Sequence, residues 1–422
     1  MTPISKKARS SCGWERLQYA GAIALFVGIG IAATPLAQAE SKYGPGVTDK
    51  EIKLGQTAPY SGPASAFSTT ARVENDYLKM INAAGGINGR KINMISLDDG
   101  YSPPKTIEQT RKLVEGEEVL AIVGTVGTLA NVTITKYLNS KKVPHLFGTS
   151  GSAKLNDPVH YPWTVPFFAS QDVEGRTYAR YILQTKPDAK IAILYQNDDY
   201  GRGYLDAFKA ELGDKASKMI VKEEPHDVTF PTIDSQIVSL KASGADVFFH
   251  ATTPKFAAQA IRKTSEIGWK PLQIIPTAVA QISNVLQPAG LEASTGVLTA
   301  VWRKEPSDPR WADDPEITEY RAFMKQWAPG EPVEDGFSMN GYVTGKMIVE
   351  ILKSCGDDLT RENLMKQATT VKDLHLPLFL AGINLNISQD DRVAWRSSRI
   401  AKFDGKGWEF ISDLMTIPPS VR

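Results

Sequence analysis

The stretch INAAGGINGRKINMISLDDGYSPPKTIEQTRKLV, residues 81–114, holds the end of one helix, a strand and the body of a second helix. The first helical pattern begins near residue 69 and sets Val73, Tyr77, Met80 and Ile81 on one face. Gly85-Gly86 stops it, and KINMISLDD opens a strand. IEQTRKLVEGE is helical again. The VLAIVG that follows (119–124) is short and wholly apolar, as a strand covered on both faces of a parallel sheet must be.

The same unit recurs outward from this stretch. EIKLGQTAP (51–59) reads as a strand and SGPASAF (61–67) as the loop after it. Downstream come ANVTITKYLNSKK (helix), VPHLFG (strand), EGRTYARYILQTK (helix), AKIAILYQ (strand) and GRGYLDAFKAELG (helix). The alternation continues through IDSQIVSLKAS, ADVFFHA, FAAQAIRKTSEIG and KPLQIIPT. Strands and helices alternating at this spacing predict an α/β fold with parallel sheets flanked by helices.

At the amino terminus, Lys6, Lys7, Arg9 and Arg16 accompany an uncharged run from Leu17 to Gln38. Its apolar centre, Ala20 to Ala33, is short for a bilayer span, no basic stop follows, and Pro35 breaks the helix. Ala37-Gln38-Ala39 offers small residues at the two positions a signal peptidase reads. Residues 1–39 are therefore expected to be a signal peptide, cleaved before Glu40 to release an unanchored periplasmic chain. They carry four of the 48 basic and one of the 47 acidic side chains, leaving 44 against 46. That balance offers no basic excess for nucleic acid or an anionic membrane surface. Cys355 alone remains after residue 39, in the helical stretch GYVTGKMIVEILKSC, where it reads as a small buried apolar residue. With no disulfide available, stability must come from core area, and a chain of this length supplies two to three domains at roughly 100–200 residues each.

In parallel sheets ligands sit beyond the carboxyl ends of the strands. The first strand is followed by Ser61-Gly62-Pro63, VLAIVG by Thr125-Val126-Gly127-Thr128, and VPHLFG by Thr149-Ser150-Gly151-Ser152. Hydroxyls and approachable backbone N–H groups near helix N-termini suit a carboxylate or another small anion. Such residues also build ordinary turns between strand and helix. A single loop of this kind says little, whereas three in the same half point to one site.

The stretch 81–114 resembles the most recognisable segment of the Leu/Ile/Val-binding protein family, the type I periplasmic binding proteins of ABC importers. The similarity runs in register through GVTDKEIKLGQTAPYSGPAS, VLAIVGTVGT, IAILYQNDDYGRG and GADVFFHATTPKFAAQAIRKTSEIG. It covers essentially the whole mature chain and loosens after about residue 306. The resemblance implies a two-lobed type I periplasmic binding protein fold with a three-crossing hinge, closing on ligand like a clam. By matching, the crossings fall near Phe167–Gln171, Trp302–Pro306 and Arg392–Ser398. Lobe one is then 44–168 with 305–392, and lobe two 169–304 with 393–422.

The resemblance also implies roles for single residues. Thr128 matches the hydroxyl that holds a ligand carboxylate, and Thr149 and Gly151, or Ser150 after a slip of one, match the loop that supplies a carbonyl and a hydroxyl. Ser61 and Thr125 stand in the same loops. Tyr200 matches the covering tyrosine of the opposite lobe, and Phe67 the aromatic beside the ligand's side chain. Thr253 stands where relatives use an aromatic, which leaves more room. The acid that pairs with an amino acid's ammonium falls on Thr277, and no charged residue occurs from Pro271 to Gly290. An unpaired ammonium desolvated in a closed cleft would cost several kcal/mol. The expected ligand is thus a small hydrophobic carboxylate, an aromatic one included, and not a branched-chain amino acid. The amino-acid alternative requires Asp198 or Asp199 to replace the missing acid.

Other functions fit less well. The five histidines, His145, His160, His226, His250 and His375, are scattered without metal-ligand spacing, so neither metal nor cofactor is expected. His250, at the end of ADVFFH, is the one read as a ligand contact. GTSGS at 148–152 lacks the G-x-S-x-G pattern of a hydrolase, and there is no phosphate loop, so the chain is not expected to be an enzyme. ATP hydrolysis would belong to partner subunits, the permease complex of the importer. A receptor ectodomain would need a membrane helix after the binding module, and no apolar run of spanning length is read there. A free binding protein docking on a sensor stays open, and a monomer is expected.

Overall fold

A computed structural model describes residues 43–419; the expected signal peptide and its cleavage site lie outside them. Five strands form a first, wholly parallel sheet: β1 Glu51–Ala58, β2 Lys91–Asp98, β3 Ala121–Val123, β4 His145–Gly148 and β5 Thr164–Pro166, in the order β2-β1-β3-β4-β5. The second sheet takes β6 Ile191–Gln196, β7 Ile220–His226, β8 Val247–Ala251, β9 Leu272–Ile274 and β10 Leu298–Val301, these five parallel to one another. The short β11 Val371–Leu374 and β12 Leu385–Ile387 pair with each other. β13 Ser397–Phe403 then rejoins the second sheet antiparallel to β10, followed by β14 Trp408–Phe410 and β15 Met415–Thr416.

The chain therefore passes between the two sheets three times. Each passage carries an aromatic side chain, and the three pack together: Phe167 lies 5.6 Å from Trp395, and Trp395 lies 4.7 Å from Trp302. Phe379 closes the group at 4.8 Å from Trp302. Edge and tilted contacts of this kind each add about 0.5–1.5 kcal/mol beyond buried area.

Helices cover both faces of the sheets, whose central strands are apolar; β3, β4 and β8 are buried at every position. α1, Ser68–Ala83, buries Val73 and Tyr77 as its periodicity predicts, with Met80 and Ile81 only half-buried at the edge of the stripe. It packs along the helix Gly336–Ser354, which comes from far along the chain. Glycines permit the close approach: a Cβ at Gly341 would stand 2.4 Å from the Thr70 carbonyl oxygen. Cys355, at the end of that helix, is buried, and burial pushes its thiol up to about 12. Among the described residues no helix is long and apolar enough to cross a membrane.

Candidate functional site

The loops beyond the carboxyl ends of both sheets meet around one cavity. From the first sheet come Phe67 after β1, Tyr101 after β2, Gly127 and Thr128 after β3, and Thr149–Gly151 after β4. The second sheet contributes Tyr200 and Tyr204 of α5 (Asp199–Leu212) and Ala278. Gln171 opens α4 (Gln171–Thr185), and Phe337 and Asn340 come from the helix Gly336–Ser354.

The loop after β3 explains one wall. Gly127 has φ of 102°, which favours glycine, and a Cβ there would stand 2.5 Å from the Tyr101 ring. Tyr101 can therefore lie over the start of α3 (Thr128–Ser140), whose cap residue Gly127 supplies no side-chain partner. Burial raises the pKa of its phenol well above the usual range, with the Gln196 side chain of the second half among the groups beside it. Thr128 Oγ1 lies 2.9 Å from Ser150 Oγ and accepts from Gln171 Nε2 at 3.2 Å. Three polar atoms of this cavity are buried without a partner: Thr149 Oγ1, Gln171 Oε1 and the Tyr200 hydroxyl. Buried polar groups left unpaired cost about 1–3 kcal/mol each, so a cluster of them around one hollow marks a place for a polar ligand.

The acids that approach this cavity from the second half are engaged. Asp198 caps α5, its Oδ1 accepting from the backbone N–H groups of Tyr200 (2.9 Å) and Gly201 (3.3 Å), while its Oδ2 accepts from Gln196 Nε2 at 2.6 Å. Asp199 pairs with Lys154 at 2.5 Å across the two halves. Glu174 on α4, fully buried, was invisible to matching because it arrives from more than a hundred residues before Thr277. Its Oε1 accepts from Thr277 N (2.5 Å), Thr277 Oγ1 (2.5 Å) and the Tyr178 hydroxyl (2.5 Å), and its Oε2 from the Tyr204 hydroxyl (2.9 Å). Burial raises its pKa against the pull of these four bonds. Three of the four bonds converge on Oε1 and one reaches Oε2, so both oxygens are engaged with protein donors. The sequence did hold a sign of it, since Glu174 and Tyr178 stand four apart on the apolar face of α4.

Phe67, Thr128, Thr149, Ser150, Gly151 and Tyr200 thus line a single cavity. The other expected contacts lie elsewhere. Ser61 bonds Asp98 through Oγ at 2.7 Å on the outer side of its loop. Thr125 is buried behind the cavity, its carbonyl accepting from Asn131. Thr253 precedes the helix Pro254–Glu266 and does not reach the hollow. Thr277 turns away to Glu174 and the Ala300 carbonyl, so its neighbour Ala278 supplies the wall. His250 is not a contact: it stacks on Phe248 at 4.7 Å inside the second half, and burial pushes its pKa down to about 3. Among the described residues no three His, Cys, Asp or Glu side chains converge as metal ligands.

Comparison with known proteins follows the same lines. The sequence profile of the periplasmic binding protein family matches residues 51–407. A Brucella abortus protein named Leu/Ile/Val-binding protein homolog 7 is 24% identical over 400 residues, 91% of this chain and 95% of that protein. The structure of a branched-chain amino acid ABC transporter protein of Thermus thermophilus with bound valine superposes with a TM-score of 0.77 at 17% identity, covering 88% of this chain and 98% of that one. A fatty acid ABC transporter substrate-binding protein of Thermomonospora curvata gives 0.75 at 22% identity, covering 89% and 95%.

Proposed function

The chain belongs to the periplasmic binding protein family, and from that premise we propose that it is the extracytoplasmic solute-binding subunit of an ABC importer for a small carboxylate with an apolar body and no ammonium group. Structural neighbours of equal likeness are named for valine and for a fatty acid, so the fold is compatible with either cargo and the site must decide. The observation that carries the reading is the state of the acids: Glu174, Asp198 and Asp199 are each committed to protein donors. An ammonium entering this cavity would find none of these three carboxylates free, at a cost of several kcal/mol. A carboxylate would find Thr128, the 149–151 loop and the start of α3, all rich in donors. Phe67, Phe168, Tyr200 and Phe337 supply flat apolar surface for a ring or an alkyl chain.

In this reading, lobe one (44–168 with 305–392) holds the carboxylate and lobe two (169–304 with 393–422) closes over it, the aromatic group at the three passages acting as the hinge. The signal peptide 1–39 directs export, and the closed form docks on the membrane permease. A thermal-shift panel tests the ligand class, with hexanoate, benzoate and phenylacetate set against leucine and valine. A ligand at 100 times its Kd should add about 2.7 kcal/mol of stability, visible as a raised melting point. Shifts with the plain acids and none with the amino acids are expected. The reverse pattern would make the protein a branched-chain amino-acid binder.

A further inference from the structure

Phe67, Thr70, Phe337 and Asn340 build one stretch of the cavity wall, and the Thr70 hydroxyl is spent on the Phe337 carbonyl. Phe67 and Phe337 meet edge to face at 5.1 Å there, and Asn340 stands one helical turn past the start of the helix Gly336–Ser354. Behind Asn340 lies Arg303, only 3% exposed, which follows β10 at the second passage between the sheets. Arg303 Nη1 donates to Asn340 Oδ1 at 2.8 Å. A guanidinium has donors alone, so this bond fixes which way the amide points. The Oδ1 is consumed, and the Nδ2 amide group has no hydrogen-bond partner among the described residues. The arginine is itself held, by Glu305 at 3.4 Å and by the Trp302 ring, whose centroid is 5.0 Å from the guanidinium carbon.

The geometry points to a ligand that carries a hydrogen-bond acceptor at the end opposite its carboxylate, read by the Asn340 amide that Arg303 orients. This rests on the carboxylate reading of the site. A purely hydrophobic cargo would leave the Asn340 donors unsatisfied in a closed cleft, and a buried arginine is a costly device for holding an asparagine that reads nothing. The acceptor class includes a ketone, an ether, a hydroxyl or a second carboxylate. Asn340 is then a specificity-determining residue.

Calorimetric titration of the full mature chain with matched pairs tests this. The aromatic pair is 4-acetylbenzoate against 4-isopropylbenzoate, and the aliphatic pair 5-oxohexanoate against 5-methylhexanoate; members of a pair differ by a carbonyl in place of an apolar branch. The acceptor-bearing member of at least one pair should bind about tenfold tighter, the worth of one well-backed hydrogen bond. Asn340→Asp keeps an oxygen for Arg303 but replaces the donor with an acceptor, so it should fold and should erase or invert the preference. Equal or reversed affinities in the wild type would overturn the distal acceptor while leaving the carboxylate reading standing. A preference that survives in Asn340→Asp would overturn the role of Asn340. Wild-type protein that binds leucine and none of the four acids would overturn the carboxylate reading and this inference together.

Discussion

Glu74 and Glu174 are both fully buried, one on α1 behind the first wall of the cavity and the other on α4 behind the second. Their surroundings differ. Glu74 accepts a hydrogen bond from Gln56 Nε2 at 2.9 Å and its Oε2 has no partner, whereas Glu174 accepts four hydrogen bonds. Burial alone pushes Glu74 up to about 8, while at Glu174 four hydrogen bonds oppose the rise. Glu74 is in effect a neutral space-filler that packs against Gly124, where a Cβ would collide with the carboxyl. Glu174 is an organising centre: it holds Thr277, Tyr178 and Tyr204, and through Tyr204 it shapes the cavity wall. Burial of an acid therefore says little about its role until its donors are counted, and a saturated acid is closed to a ligand's ammonium.

The largest effect should come from removing the saturated acid. Glu174→Ala leaves the Tyr204 hydroxyl and the Thr277 N–H without an acceptor and the Tyr178 and Thr277 hydroxyls with only the Ile275 and Ala300 carbonyls, and should cost about 3–5 kcal/mol in urea unfolding. A loss below 1 kcal/mol would show that the four bonds are not made in solution.

Glu74→Gln should behave in the opposite way, with an effect of about a few kcal/mol at 1.36 kcal/mol per pKa unit. The folded pKa, about 8, lies above the ordinary carboxylate value of 4.5. The stability this group contributes is therefore complete below pH 4.5 and is lost as pH rises through 8. The variant escapes that loss, so its melting point should exceed the wild type's at pH 8.5 and match it at pH 4. A constant difference across that window would place Glu74 in water or beside an unrecognised cation.

Thr128→Ala touches neither glutamate. It should leave the pH profile of stability unchanged while weakening ligand binding by about 1.5–3 kcal/mol, read by calorimetry. Unchanged affinity would move the carboxylate cradle elsewhere.

What could be read from sequence follows from how local each feature is. VLAIVG and its companions carry their own burial pattern, and the loops after them hold Thr128, Thr149, Ser150 and Gly151 within a few residues of a strand end. Those positions line the cavity. Gln171, Phe337 and Asn340 reach the same space from other parts of the chain, and no local period announces them. His250 failed for a different reason. β8 is buried on both faces, so alternation cannot say which side a residue faces, and this one faces the core. The antiparallel return of β13 and β14 escaped a reading built on strand–helix alternation. A short-range signal was present in Asp404-Gly405, where Asp404 accepts from the N–H groups of Lys406 and Gly407 at 2.8 Å each.

The central claim is that the cavity takes a carboxylate and has no place for an ammonium. Leucine and 4-methylpentanoate share one skeleton and differ only in the amino group, so titrating both into ligand-free protein under the same conditions isolates that group. 4-Methylpentanoate should bind, with leucine at least about 100-fold weaker, the equivalent of roughly 2.7 kcal/mol. Micromolar binding of leucine with none of 4-methylpentanoate would contradict the account and return Glu174, freed from at least one of its donors, to the role of ammonium partner.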